Sequence, residues 1–389
     1  MRTCIYLFLC YIIISSGNFI AQNLNKNILD SISRHSERTN SNALLIYQNG
    51  KPIIKNYFGK PVEKIEAMSA TKSVVSIAIG ILLDKKFIDS LDQPVYTIYP
   101  EWKQGNKKLI TIRHLLVHTS GMQNVPNAGE EIEIAPDVIQ LALCAELEDQ
   151  PGAKYSYNNK SSNLLAGIVE KTSKLKLDKF LSKYLFKELG ITDYKWRTDL
   201  TGNPYGMAGL LIYPEDLAKI GLFVLKNGKW NNKQLLSEKW IKEMLTPSVH
   251  HQNFGYEWWL TYDSRFIAVD DPFLNSVKDK TDESTFLLLQ KLKGNYNKMK
   301  DIGTKAREIY TPEELKIVGA FMKNLPPSSW RIENRGSIRN YAASGYLGQY
   351  LILIPEKDLV IVRMISAENY KKIPKNDTFE NLRNLVNEL

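Results

Sequence analysis

The sequence predicts an α+β domain in which both ends of the chain contribute strands to one antiparallel sheet. Residues 43–58 contain two β-type runs separated by Asn49-Gly50, a dipeptide that favours a hairpin turn. Residues 350–354 and 359–365 form two more runs near the other end. The helical patterns lie between these ends, which is typical of an α+β fold rather than of alternating strands and helices.

One predicted helix differs from the others because it is apolar on every side. It begins at Ser69 and continues to Leu83. A helix with no polar face is buried, so we expect this one to run through the centre of the protein. The patterns over residues 217–225 and 238–245 are amphipathic and predict helices on the surface of the core.

Length and composition suit one large domain, with 389 residues of which 43% are hydrophobic and 24% charged. Residues 263–340 differ in being rich in Lys, Asp and Asn, with one helix-like run at 286–292. We interpret them as an insertion in a single domain over residues 22–389. A separate domain bounded by linkers is the alternative.

The first 21 residues resemble an export signal. Arg2 precedes an apolar run over residues 5–14, and Ala21 offers a small residue before a cleavage site. The sequence therefore predicts a periplasmic or secreted protein without a stable membrane anchor, an uncleaved anchor being the alternative. After cleavage Cys144 is the one remaining cysteine, and its apolar surroundings predict a buried position.

Charge and histidine content exclude some classes of function. The net charge of +9 comes from scattered lysines that form no nucleic-acid motif, so we expect no nucleic-acid partner. His114 and His118 are four residues apart, a spacing that suits helical metal ligands. No acidic residue accompanies them at a recognisable spacing, so we expect no metal site there.

The first candidate site is Ser69-Ala-Thr-Lys72. A serine at the start of a helix lies near free backbone N–H groups, and a lysine three residues later shares its face. Burial favours the neutral amine, which is able to act as a base. Ser173 and Lys176 have the same spacing, but they do not open a buried helix, and we interpret them as a solvated helix face.

The second candidate is Tyr157-Asn-Asn159, which follows the turn Pro151-Gly152 and precedes a helical run. Tyr157 is placed to carry a proton beside a serine–lysine pair, and Asn159 to bond the lysine or a substrate amide.

The third candidate is Ala343-Ser344-Gly345-Tyr346, just before the last pair of strands. Ser344 and Gly345 would let a substrate lie against the backbone. The N–H of Tyr346 would join that of Ser69 in an oxyanion hole. An ordinary strand entry containing glycine is the alternative.

The order of these three motifs resembles that of the serine β-lactamase and penicillin-binding-protein superfamily. The tyrosine in the second motif is similar to the class C branch and its esterase relatives. Four further phrases are similar to the same family: residues 113–122, 151–159, 209–218 and 255–259. The resemblance covers about residues 43–262 and 341–366 and leaves out 263–340.

The resemblance implies a β-lactamase/transpeptidase-like fold, an antiparallel sheet flanked by helices with a mostly helical subdomain. It also implies attack by Ser69 on a small ester, amide or peptide carbonyl, assisted by Lys72 and Tyr157, through an acyl-enzyme. It implies no metal and no cofactor. Ala343 stands where this family usually has Lys or His, so strong β-lactamase activity is not expected. Ser344 to Tyr350 looks like the branch of carboxylesterases and 6-aminohexanoate-dimer hydrolases. A β-lactamase, a D-Ala-D-Ala peptidase and a non-catalytic penicillin-binding-like receptor stay open, as does the oligomeric state.

Overall fold

The computed structural model describes residues 24–125, 128–326, 329–373 and 380–389. The predicted export signal, residues 1–21, lies outside them. Among the described residues no helix has both the length and the apolar character needed to cross a bilayer.

A seven-stranded antiparallel sheet forms the centre of the fold, in the order β2-β1-β12-β11-β10-β8-β9. The first and last strands of the chain are neighbours, because Ala43 pairs with Met364 and Gln48 with Leu359. This confirms the predicted fold class. The strands of the sheet are β1 (Ala43–Gln48), β2 (Lys51–Asn56), β8 (Trp259–Val269), β9 (Gly294–Tyr296), β10 (Arg331–Gly345), β11 (Gln349–Ile354) and β12 (Leu359–Met364).

The remaining strands are short. They form one three-stranded sheet, in the order β3-β5-β4, and one two-stranded ribbon. Their bounds are β3 (Ile65–Glu66), β4 (Lys195–Trp196), β5 (Leu210–Ile212), β6 (Lys229–Trp230) and β7 (Lys233–Gln234).

Helices cover both faces of the large sheet. Successive side chains of β1 pack against the helices of opposite faces. Leu44 and Ile46 pack with helices from the two ends of the chain, while Leu45 packs into the main core on the other face. The period of two along a strand is what separates the faces. The helices on the first face are α1 (Lys26–Arg38) and α15 (Glu380–Val386), and those on the second are α2 (Thr71–Asp84) and α8 (Pro214–Leu225).

Helix α2 is the buried central helix that the sequence predicts. Every residue from Thr71 to Leu82 is buried. It packs so tightly that a Cβ built on Gly80 would lie 2.2 Å from the indole Nε1 of Trp240. The predicted hairpin is also confirmed, since Asn49 and Gly50 connect β1 and β2 with φ of 51° and 74°.

A mostly helical part lies between β2 and β8 and supplies one side of the candidate site. Cys144, at the end of its helix, is exposed, so the prediction that it is buried was wrong. The apolar side chains of that helix point inward, and the cysteine falls on the opposite side. The helices here, besides α2 and α8, are α3 (Ile112–Leu116), α4 (Ala128–Ile134), α5 (Val138–Cys144), α6 (Asn159–Ser173), α7 (Leu177–Leu181) and α9 (Glu238–Met244).

Residues 263–340 extend two strands of the large sheet and then form helices with an apolar cluster of their own. Strands β8 and β10 pair from Trp259 and Ala342 out to Ala268 and Arg331. The long strands were not foreseen, because charged residues interrupt the apolar pattern that would indicate them. The helices beyond β8 are α10 (Asp271–Val277), α11 (Glu283–Gln290), α12 (Met299–Ile309) and α13 (Pro312–Asn324), and α14 (Ala367–Tyr370) follows β12.

Candidate active site

Ser69 lies in a single 3-10 turn, Met68–Ala70, that leads directly into α2. Met68 has a φ of 48°, a left-handed conformation that a non-glycine residue keeps only where its surroundings enforce it. The end of β10 packs on this turn: a Cβ built on Gly345 would lie 2.4 Å from the carbonyl oxygen of Ala67. The third predicted motif therefore touches the turn that carries the first, and close approach requires glycine there.

Lys72 points its amine at Ser69 from the first turn of α2. Its Nζ lies 3.0 Å from the Oγ of Ser69 and donates a second hydrogen bond, of 2.8 Å, to the carbonyl oxygen of Met207. The side chain is only 2% exposed. Among the residues that the structure describes, no carboxylate forms an ion pair with it. The i, i+3 spacing thus produces the predicted contact.

The carbonyl group that binds Lys72 is itself held in place by α6. The side-chain Oδ1 of Asn163 accepts hydrogen bonds from the N–H groups of Gly206 and Met207, at 2.9 and 3.0 Å. A Cβ on Gly206 would lie 2.0 Å from the carbonyl oxygen of Ser162, so the segment lies directly against the helix. These contacts fix the Met207 carbonyl, and with it the position of the lysine amine.

Tyr157 lies beside the lysine, and no hydrogen bond joins its hydroxyl to the serine. The Nζ of Lys72 is 5.0 Å from the centroid of the tyrosine ring. The ring stacks between His118, at 4.8 Å, and Trp259, at 6.1 Å, with an interplanar angle of 25° in each case. Its hydroxyl forms no hydrogen bond with a described residue, which leaves that group free for a ligand.

A buried pair, His118 and Glu257, lies behind Tyr157. The Nε2 of His118 is 2.7 Å from Oε2 of Glu257, and both side chains have no exposed surface. The Nδ1 of His118 accepts the N–H of Asn158 at 2.9 Å. Since Nδ1 accepts a hydrogen bond, the proton is on Nε2, which donates to the carboxylate. This arrangement fixes the ring on which Tyr157 stacks and the backbone that follows Tyr157.

Glu257 also ties two helices to this pair. Its Oε1 accepts from the hydroxyl of Ser162 in α6 at 2.7 Å, and its carbonyl oxygen accepts from the hydroxyl of Ser73 in α2 at 2.6 Å. His118 and Glu257 both have positive φ, of 53° and 60°. Met68, beside the serine, and these two residues behind Tyr157 are thus all held in the left-handed region, as is common where a site is rigid.

The other predicted residues lie at the edges of this arrangement. Asn159 begins α6 and does not bond Lys72, and its Oδ1 is buried without a partner, as is the Oγ of Ser344. Buried polar atoms without a protein partner suit positions that face a ligand. Tyr346 is 67% exposed, whereas Ala343 is buried in the main core.

His114 and His118 do not form a pair. The Nδ1 of His114 accepts from the N–H of Thr111, at 3.3 Å, at the start of α3. Within the described ranges no group of three or more His, Cys, Asp or Glu side chains could hold a metal ion. Sequence reasoning missed the pair of His118 and Glu257. One signal in the sequence was available: His118 lies in residues 113–122 and Glu257 in residues 255–259, two of the segments that resemble the family.

Known proteins resemble this chain in sequence and in fold. The chain is 25% identical over 230 residues to the protein flp of Staphylococcus aureus (strain COL), covering 53% of this chain and 45% of that protein. It is 21% identical over 270 residues to the 6-aminohexanoate-dimer hydrolase of Paenarthrobacter ureafaciens, covering 61% and 68%. The chain thus spans about half the length of the flp proteins that it matches.

Solved structures agree on the fold. The penicillin-binding protein of Bacillus halodurans superposes with a TM-score of 0.56 at 16% identity, over 88% of this chain and 97% of that one. In addition, the family described as Beta-lactamase matches residues 28–265, which include the serine, the lysine, the tyrosine and the buried pair behind them. On this match, over more than half of its length, the chain belongs to the β-lactamase family.

Proposed function

We propose that the protein is a serine hydrolase that cleaves a small ester or amide through an acyl-enzyme on Ser69. The observation that carries the proposal is the 3.0 Å contact between the Oγ of Ser69 and the Nζ of Lys72. The amine is buried, and no described carboxylate forms an ion pair with it. A lysine amine at hydrogen-bond distance from a serine hydroxyl is placed to take its proton when the hydroxyl attacks.

The proposed reaction has two halves. Lys72 accepts the hydroxyl proton as the Oγ of Ser69 bonds to the carbonyl carbon, Tyr157 gives its own proton to the leaving alcohol or amine, and the proton on Lys72 then passes to Tyr157. The bond between the carbonyl carbon and the leaving group then breaks, which gives the acyl-enzyme. Water attacks the acyl carbon and its proton passes to Lys72. The bond between the acyl carbon and the Oγ of Ser69 then breaks, the carboxylic acid leaves, and Lys72 returns the proton to Ser69. Each half uses positioned proton carriers, which typically contribute about 10²–10⁴-fold.

We place esters and linear amides ahead of β-lactams as substrates. The 6-aminohexanoate-dimer hydrolase among the relatives supports a linear amide. The buried Ala343 supplies no cation for the carboxylate of a β-lactam or of a D-Ala-D-Ala peptide. The same lack of a cation keeps a non-catalytic penicillin-binding-like receptor as the competing hypothesis. The serine, lysine and tyrosine lying together favour catalysis over that alternative.

The test is a paired assay with a short-chain p-nitrophenyl ester and a chromogenic cephalosporin, with fluorophosphonate labelling alongside. We expect labelling and ester turnover in the wild type and in Ser173→Ala, and neither in Ser69→Ala. Ser173 is the matched control because Lys176 gives it the same spacing, while its hydroxyl donates to the carbonyl oxygen of Val169. Labelling that persists in Ser69→Ala, or fails in the wild type, would overturn the proposal and favour the receptor.

We further propose that the protein is exported, on the pattern of residues 1–21. Expression in a bacterial host followed by N-terminal sequencing of the periplasmic fraction tests this, and a mature chain that begins at Gln22 is the expected result.

A further inference from the structure

An open groove with a volume of about 1350 Å³ runs along the outer side of β8. Each residue from Trp259 to Arg265 lines it, and residues 249–253 form the facing wall. Trp330, from residues 263–340, and Arg383, from α15, also line it. Neither Ser69 nor Lys72 is among the lining residues. The volume exceeds the roughly 300–1,000 Å³ of sites for drug-sized molecules, so the groove suits an extended ligand.

The strand that lines the groove has an open edge. Strand β8 pairs with β10 on one side, but on the other side β9 pairs only with Ile267, Ala268 and Val269. The N–H of Leu260 points away from β10, because it donates to the carbonyl oxygen of Asn253 at 2.8 Å. Beyond Leu260, residues 261–266 have no strand partner on that side within the described part of the chain. An edge of this kind accepts an extended peptide as a further strand.

The groove carries an excess of positive charge. Four cationic side chains line it, Lys154, Arg265, Arg339 and Arg383, against the single carboxylate of Asp263. Lys154 pairs with Asp149 at 2.8 Å, and Arg339 lies 3.6 Å from Asp263.

Two of the guanidinium groups have no anionic partner. Neither Arg265 nor Arg383 forms an ion pair within the described part of the chain. The pKa of His251, on the facing wall, is lowered by burial and also by the charge of Arg265. Unpaired guanidinium groups bind carboxylates with paired hydrogen bonds.

We propose that this groove binds an extended acidic peptide, paired with the edge of β8, whose carboxylates meet Arg265 and Arg383. The edge from Thr261 to Arg265 is about 13 Å long, enough for four or five residues. On the proposed function, this peptide is the part of the substrate that lies away from the scissile bond, and the substrate class is an acidic peptide amide.

Trp259 connects the groove with the candidate active site. Its side chain lines the groove, and its ring stacks on Tyr157. In the sheet it pairs with Ala342, three residues before Gly345, so β10 continues past the end of β8 by about 10 Å to the residue that contacts the turn carrying Ser69. Trp259 therefore belongs both to the groove and to the surroundings of Tyr157.

The experiment measures binding of a fluorescein-labelled pentapeptide, Ala-Glu-Ala-Glu-Ala, to the Ser69→Ala protein by fluorescence anisotropy. Arg265→Gln and Arg383→Gln in that background should each weaken binding by roughly tenfold, the loss of one charge-assisted pair. The matched control is Arg307→Gln, since Arg307 lies exposed on α12 and its loss removes the same charge. The melting temperature of each variant shows whether it is folded.

Two changes in the peptide test the proposal on a single protein. Replacing both glutamates by glutamine should weaken binding about as much as combining Arg265→Gln and Arg383→Gln in one protein. Methylating alternate backbone nitrogens should abolish binding, because strand pairing needs those N–H groups. Equal binding of either altered peptide would overturn the proposal, as would equal binding by the Arg265→Gln, Arg383→Gln and Arg307→Gln proteins.

The peptide-binding experiment and the hydrolysis assay can fail independently of each other. Peptide binding to Ser69→Ala with no Ser69-dependent hydrolysis in the wild type would leave the groove correct and the catalytic proposal wrong. Ester hydrolysis by the wild type without peptide binding would leave catalysis correct and the groove proposal wrong.

Discussion

The buried network stacks on Tyr157 and the groove along β8 is lined by Trp259, the ring that stacks on Tyr157. The two regions treat charged groups in opposite ways. In the network, the carboxylate of Glu257 accepts two hydrogen bonds from buried side chains and has no exposed surface. In the groove, Arg265 is exposed and has no carboxylate partner among the described residues. Burying a carboxylate is costly unless the protein supplies hydrogen bonds to it, whereas an exposed guanidinium group is free to pair with a ligand. We therefore expect the network to control the rate of the chemical step and the groove to control substrate binding.

The largest expected effect is that of removing the amine beside the serine. Lys72→Ala should lower kcat by about 10²–10⁴-fold, because Ser69 loses its proton acceptor. Tyr157→Phe keeps the stacked ring and removes only the hydroxyl, and it should fall in the same range if Tyr157 carries the leaving-group proton. Steady-state kinetics with a p-nitrophenyl ester measures both, with Lys176→Ala as the control. A near-normal kcat in either variant would remove that residue from the mechanism.

A smaller effect should follow from moving the turn that carries Ser69. Gly345→Ala places a Cβ within 2.4 Å of the carbonyl oxygen of Ala67, so β10 and the turn must separate. A displacement of about 1 Å at a reacting group costs up to about 10²-fold in rate. Gly319→Ala, on α13 with nothing within 4 Å of the new methyl group, is the matched control and should not lower kcat. Equal kcat in the two variants would mean that the packing of Gly345 on the Ala67 carbonyl does not position Ser69.

Glu257→Gln tests whether the network positions Tyr157 or only stabilises the fold. Loss of the carboxylate should lower the free energy of unfolding by about 1–3 kcal/mol. If the network also positions Tyr157, kcat should fall about tenfold with little change in KM, measured well below the melting temperature. Glu308→Gln, on the exposed face of α12, is the control. An unchanged kcat in folded Glu257→Gln would restrict the network to a structural role.

The smallest expected effect is a dependence of stability on pH. Burial lowers the pKa of His114 and of His251, and the charge of Arg265 also lowers that of His251. Unfolded histidine titrates near pH 6.5, so below that value the unfolded chain binds more protons than the folded one. Stability present above about pH 6.5 should therefore be lost as the pH falls through the lowered pKa values. The melting temperature should drop between pH 7.5 and pH 5.5, and less so in His251→Gln.

A control for this pH dependence comes from the groove itself. Arg265→Gln should raise the pKa of His251, as followed by NMR titration, because it removes a nearby positive charge. An unchanged pKa would mean that the two side chains do not interact, and would weaken the case for a positive groove.

Local sequence patterns were enough to predict the central helix of the site and the two residues at its start. An apolar run predicted that α2 is buried, and the i, i+3 spacing predicted that Ser69 and Lys72 meet. The same reasoning was wrong for Cys144, because the apolar residues around it indicate burial of the helix but not of each position on it. The pairing of His118 with Glu257 had no local signal, because 139 residues separate them.

The sequence alone thus determined the fold class, the central helix, the terminal strands and the serine–lysine pair, since each depends on residues close together in the chain. Only the tertiary structure decided which distant groups complete the site: the carbonyl of Met207 on Lys72, the carboxylate of Glu257 on His118 and the open edge of β8. The physical reason is that hydrogen-bond and strand pairing between remote segments depends on how all the packed elements meet. Periodicity in one segment carries no information about its partner.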